Sequence, residues 1–207
     1  MNRGQSTSAN DRLVTEALSC VRSERMLFRN LSFDLVSGQA GLITGPNGVG
    51  KSSLLRLLAG LLEPFAGSFQ APDARSLCDD RLALDEHLPL AQALQFWAGL
   101  DDRAPSQLAT ALAAAGLDHL AEVPIRYFST GQRQRARLAR TYLSGAKLWL
   151  LDEPANGLDS GSVAQLGVAL QRHLDEGGII LAASHIPLPI AFDLSLALSP
   201  LEALEAI

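Results

Sequence analysis

Cysteine is scarce in this 207-residue chain, with only Cys20 and Cys78, far apart and in no metal-ligand spacing. That excludes a disulfide scaffold and fits a reducing compartment. A basic excess is also missing, since 17 Lys and Arg stand against 22 Asp and Glu, a formal charge of −5. No whole-chain positive field is available for nucleic acid, and none is expected as a partner. Long apolar runs are absent too. Ser53 to Leu62 is cut by Arg56 and stopped by Glu63-Pro64, and Leu194 to Leu204 contains Pro200 and Glu202. Neither approaches the roughly 20 uninterrupted apolar residues that spanning a bilayer requires. Residues 1–12 are polar with no apolar core, unlike a secretory signal, and read as a mobile lead.

What is present is globular. Hydrophobic residues make up 47% and charged residues 19%, enough for a buried core in one domain or one domain with an inserted lobe. Leu13 to Cys20 and Leu31 to Val36 read as strands, followed by a short apolar strand from Gln39 to Thr44. Lys51 to Leu62 has helical apolar spacing and is expected to end at Glu63-Pro64. Residues 66–81 read as turns and short strands. Pro89 to Val123 is Ala/Leu-rich and helical, with breaks at Asp101-Asp102, Pro105 and Gly116, and a further helix is expected over Thr130–Leu143. Leu148–Leu151 and Ile179–Ala183 are apolar without polar alternation, as in strands covered on both faces. Val163–Leu174 reads as a helix and Asp193–Leu198 as a last strand. Strands alternating with helices predict an α/β fold around a parallel sheet.

Gly45-Pro46-Asn47-Gly48-Val49-Gly50-Lys51-Ser52 fits the phosphate-binding pattern G-x-x-x-x-G-K-[ST]. Glycines let backbone N–H groups curl around a phosphate, and the helix that follows, opening with Lys51, Ser52 and Ser53, aims its positive end at it. Lys51 would reach the β- and γ-phosphates and Ser52 would ligate Mg²⁺. At average Gly and Lys usage, a chance match in this length is on the order of one in a hundred.

An apolar strand ending in Asp152-Glu153 would deliver a carboxylate to the sheet's C-terminal edge. Asp152 suits Mg²⁺ and Glu153 suits polarising a water; the plain alternative is a strand end turning into Pro154. Ser129 is a good N-cap before a helix carrying Arg133, Arg135, Arg137 and Arg140. It is either an ordinary capped helix with a basic face or a second anion site completed in a dimer. His185, at the end of another apolar strand, could bond a γ-phosphate or orient Glu153. His87, His119 and His173 have no clustered ligands and read as structural or exposed.

In this order, these elements resemble the ATP-binding subunit of ABC transporters, from about Leu13 to about Ala197. Phe128-Ser129-Thr130-Gly131-Gln132 looks like that family's signature, Ala155 to Asp159 like its D-loop, and His185 like its switch histidine. A closer likeness is to the short haem-exporter ATP-binding proteins of cytochrome c maturation, in Leu18 to Phe33, Gly116 to Pro124, and His185-Ile-Pro-Leu.

The resemblance implies a P-loop ATPase with a mostly parallel central sheet and a small N-terminal antiparallel part. Residues 13–207 would form the domain, with 89–143 as a helical subdomain. ATP and Mg²⁺ are the implied cofactors, with Glu153, His185 and Lys51 as catalytic residues and Ser129, Gly131 and Gln132 contacting nucleotide. Implied partners are a second copy, paired head to tail across two ATP molecules, and membrane-embedded permease subunits at the cytoplasmic face of a bacterial inner membrane. Three departures stand out. Asp79-Asp80 lies where the family carries a glutamine, Arg22 falls where an aromatic stacks on adenine, and Thr130 adds bulk. Other readings are transport of another substrate, a soluble ATPase of the same type, and a P-loop kinase, which needs no signature segment.

Overall fold

The computed structural model describes residues 11–201. The polar lead falls outside this range except for Asp11 and Arg12. Two long strands open the chain, β1 (Arg12–Arg22) and β2 (Arg25–Val36), both longer than expected from their apolar residues. A two-residue turn joins them, with Ser23 and Glu24 at φ 47° and 64°. Positive φ at both positions matches the right-handed twist of the flanking strands. Pairing with the long partner strand β1 extends β2 back through Arg25–Asn30, where Phe28 is buried in the core and Leu27 packs against it. With β4 (Ala66–Gln70) these form an antiparallel sheet in the order β2-β1-β4.

The second sheet contains β3 (Ala40–Thr44), β5 (Arg75–Cys78), β6 (Leu148–Asp152), β7 (Ile179–Ala183) and β8 (Leu194–Ala197). Its order is β5-β6-β7-β3-β8 and every pairing is parallel. Both faces are covered. Leu148, Leu150, Ile179 and Leu181 belong to a core shared with α1 (Lys51–Leu58) and the antiparallel sheet. Trp149, Leu151, Ile180 and Ala182 pack with α5 (Ser160–Asp175) on the other side. Burial on both faces is why these strands are continuously apolar.

Helix α1 stops at Leu58, short of the proline stop expected from the sequence. Gly60, at φ 79°, closes it: its N–H donates to Leu57 O and that of Leu61 to Arg56 O. This paired left-handed cap ends the helix before Pro64 can. A separate apolar cluster joins α2 (Leu90–Leu100), α3 (Pro105–Ala114) and α4 (Thr130–Leu143).

Both cysteines are buried and unpaired, and burial pushes the Cys78 thiol up to about 12. His87 and His119 are exposed. His173 instead stacks on Trp149, with ring centres 3.8 Å apart and planes 5° from parallel. Burial lowers its pKa to about 4, against smaller opposing effects of the Ile179 and Lys147 backbone. The folded protein therefore holds this ring neutral, while the unfolded chain takes up a proton below about 6.5. Its stabilising contribution is present above that pH and is lost as pH falls from about 6.5 towards 4. Between pH 7 and pH 5, wild type should lose about 2 kcal/mol more stability than His173→Phe, measured from urea midpoints. Equal losses would show that the folded ring carries a proton.

Candidate functional site

The parallel register decides where the chemistry gathers. Asp152 on β6 stands level with Ala183 on β7, which stands level with Ile43 on β3. Residues just past these three, Glu153, His185 and the Gly45–Gly50 loop, therefore meet at one carboxyl edge. Ligands of open parallel sheets lie there. A cleft of about 420 Å³ opens at this edge, lined by Leu27, Asn47, Gly48, Gly50, Lys51, Ser52, Ser53, Asp152 and Glu153.

Gly45, Gly48 and Gly50 all adopt positive φ, and Gly50 caps α1 in the left-handed conformation. A β-carbon at Gly45 would fall 2.3 Å from the Leu198 carbonyl oxygen, so the loop's first glycine is required by contact as well as by torsion. Val49 turns its side chain into the core.

Lys51 is 8% exposed. Its Nζ donates to the carbonyls of Gly45 at 2.7 Å and Pro46 at 3.2 Å, and lies 3.0 Å from His185 Nε2. That ring nitrogen is also 3.0 Å from Asn47 Oδ1. One imidazole nitrogen offers either a lone pair to Lys51 or a hydrogen to Asn47, not both. A phosphate entering the loop finds an ammonium whose third position is held by this over-subscribed nitrogen.

Asp152 shares a side-chain hydrogen bond with Ser52. Burial pushes its carboxyl above the ordinary range, which Ser52 and Arg56 oppose and Glu153 and Asp79 reinforce. A half-buried carboxylate beside a hydroxyl, in a cleft with room for phosphates, is a hard oxygen pair suited to Mg²⁺. The residues fit that ion.

Strand β6 ends at Asp152, and Glu153 turns to φ 49° rather than continuing it. Because the strand does not continue through it, Glu153 does not alternate to the face opposite Asp152. Its N–H donates to Ala183 O at 2.8 Å, and its Oε2 accepts from His185 N at 3.1 Å. A left-handed glutamate costs of order 1–3 kcal/mol, and such strain clusters at functional sites. Here it turns the carboxylate into the cleft beside Asp152.

Ser129 caps α4 reciprocally: Ser129 N donates to Gln132 Oε1 at 2.8 Å, and Gln132 N donates to Ser129 Oγ at 3.3 Å. Ser129, Gly131 and Gln132 are not among the residues lining the cleft of their own chain. Gly131 lies instead against Gly157, whose carbonyl oxygen would be 2.9 Å from an added β-carbon. Arg22 is exposed at the β1–β2 turn and does not line the cleft, where Leu27 presents the only β2 side chain.

Two residues escaped sequence reasoning. Gln134, 5% exposed, donates to Pro154 O at 3.1 Å and ties α4 to the turn after Glu153. A glutamine within an arginine-rich helix looks like a solvated position, and only burial sets it apart. Arg56 binds Asp79 and Asp80; its charge inside an apolar helix was the available signal.

A phosphate-cradling loop between a parallel strand and a helix, with an aspartate on the same edge two strands away, defines a P-loop nucleoside triphosphatase. Comparisons with known proteins narrow the class. The ABC transporter family pattern matches residues 28–156. The chain is 52% identical over 182 residues to the cytochrome c biogenesis ATP-binding export protein CcmA of Zymomonas mobilis, covering 88% of this chain and 82% of that one. Identity is 50% over 178 residues to the protein of the same name from Novosphingobium aromaticivorans, covering 86% and 91%. A solved ABC transporter of metal-chelate type, in an inward-facing conformation, superimposes with TM-score 0.79 at 26% identity, over 92% of this chain and 81% of that one. The chain belongs to the ABC transporter family, as an ATP-binding subunit coupling hydrolysis to transport, among the cytochrome c biogenesis ATP-binding export proteins. Among the described residues, no helix is long and apolar enough to cross a membrane.

Proposed function

We propose that this chain hydrolyses ATP to power haem export or handling for c-type cytochrome assembly, docked on membrane-embedded permease subunits at the cytoplasmic face of a bacterial inner membrane. The observation that carries this reading is 52% identity, over nearly the whole chain, to a protein named for that process. Residues 13–207 act as one ATPase domain, with 89–143 as its helical subdomain.

The loop N–H groups and Lys51 hold the phosphates of ATP. Ser52 and Asp152 hold Mg²⁺, which neutralises charge on the phosphate oxygens when bound. Glu153 takes the proton of an attacking water, and His185 orients Glu153 through its backbone N–H and contacts the γ-phosphate through its ring. Ser129, Gly131 and Gln132 face a second copy's ATP. That they lie outside their own chain's cleft supports this head-to-tail arrangement. The exposed Arg22 is reserved for the adenine side, where a guanidinium plane can stack on a base.

The test is complementation. In a strain lacking its own cytochrome c biogenesis ATPase, expression of this chain should restore haem-stained c-type cytochromes, and Lys51→Ala should not. Restoration of some other transport activity, with no c-type cytochromes, would favour a transporter of another substrate.

A further inference from the structure

We infer that Arg56 is a positioning residue that tunes the metal-binding corner of the nucleotide site and anchors the adjoining loop, residues 79–89, to it. This rests on the placement of Mg²⁺ at Ser52 and Asp152 proposed above.

Arg56 follows Ser52 by one helical turn on α1, so the two share a face. Its Nε and Nη2 donate to Asp79 Oδ2 at 3.1 and 3.0 Å, and Nη2 also donates to Asp80 Oδ1 at 3.0 Å. Asp79 follows Cys78, the last residue of β5, and Cys78 stands level with Leu151 on the neighbouring strand β6. Asp79 and Asp152 are thus the next residues on two adjacent parallel strands. Two carboxylates brought to one edge repel, and the guanidinium is the cation placed among them. The Asp79 side chain is only 10% exposed, so its pairing is shielded from solvent, whereas Asp80 at 83% adds little.

The same contact fixes the start of the loop. Asp79 Oδ1 accepts from Arg81 N at 3.1 Å. The far end is held by the helical lobe, where Arg126 N donates to Glu86 O, Ile125 N donates to Leu88 O, and Arg133 pairs with Glu86 at 2.7 Å. Arg56 is therefore the core-side anchor of a segment whose other anchor is α4 and the turn before it. Asp79 is committed to Arg56 and lies outside the cleft lining, so it acts through Arg56 rather than as a metal ligand.

Charge then gives opposite signs for the two partners. Arg56→Met leaves Asp79 as an uncompensated negative charge near the metal corner, and Mg²⁺ should bind more tightly there. Asp79→Asn leaves the Arg56 cation less neutralised, and Mg²⁺ should bind more weakly. Each shift is expected to be roughly three- to tenfold in the Mg²⁺ midpoint, and the double variant should return close to wild type. The probe is a fluorescent ATP analogue titrated with MgCl₂ on the full chain, with affinity in EDTA measured in parallel and expected to stay unchanged. Amide hydrogen exchange over 80–88 should quicken in both single variants. Arg56→Lys should hold the midpoint within about twofold, because charge is kept, while still loosening the loop because the forked contact is lost.

Shifts of both single variants in the same direction, or no shift, would overturn the inference and leave Arg56 a fold-stabilising residue. Asp152→Asn separates the two readings. If it leaves the midpoint unchanged, the metal assignment falls and this inference with it. If it moves the midpoint while the Arg56 and Asp79 variants do not, only the inference falls.

Discussion

Glu153→Gln is expected to keep ATP binding and to slow hydrolysis by roughly 10²-fold or more. Glutamine retains the shape of the side chain and can still accept from His185 N, as Glu153 Oε2 does at 3.1 Å. It cannot take a proton from water. With the γ-phosphate uncut, the head-to-tail dimer should accumulate, and gel filtration with ATP should show a species of twice the monomer mass. Phosphate release at the wild-type rate would remove Glu153 from the role of base. Monomer only, for both variant and wild type, would count against the paired arrangement.

Lys51→Ala should have the second large effect, on binding. Lys51 is 8% exposed, and its ammonium is already aimed at the loop by the Gly45 and Pro46 carbonyls. Charge-assisted hydrogen bonds contribute about 1.5–3 kcal/mol each, so losing one or two should weaken ATP by roughly 10- to 10⁴-fold in calorimetry. Hydrolysis at any accessible ATP concentration should fall with it. The apo protein should be perturbed as well, because His185 Nε2 loses its partner at 3.0 Å. Unchanged affinity would remove the phosphate role from this loop.

Patterns confined to a few consecutive residues were legible in the sequence. The helix over Thr130–Leu143 has the predicted bounds because its start and stop are local: Ser129 caps it and Gln132 returns the bond, and Gly145 at φ 64° follows its last turn. Strands β6 and β7 were legible because burial on both faces leaves only apolar residues. The end of α1 was misjudged because two stop signals compete, and the glycine cap comes first along the chain. The first half of β2 does not alternate in sequence, and it is the pairing with β1 that makes it strand and carries Phe28 into the core.

The site divides along the same line. Residue types and spacing alone determined that a phosphate loop, an acidic strand end and a histidine strand end are present, because each is a short local motif with its own chemistry. The fold decided how they combine. Parallel register brought Asp152 and the residues after Ala183 and Ile43 to one edge, although about a hundred residues separate Asn47 from Asp152. Only the tertiary structure could show that Glu153 turns left-handed beside Asp152, that His185 stands between Lys51 and Asn47, and that Arg56 is committed to Asp79. The last two are relations between distant segments, set by sheet order and packing, and the turn at Glu153 is fixed by its N–H bonding Ala183 O on the neighbouring strand.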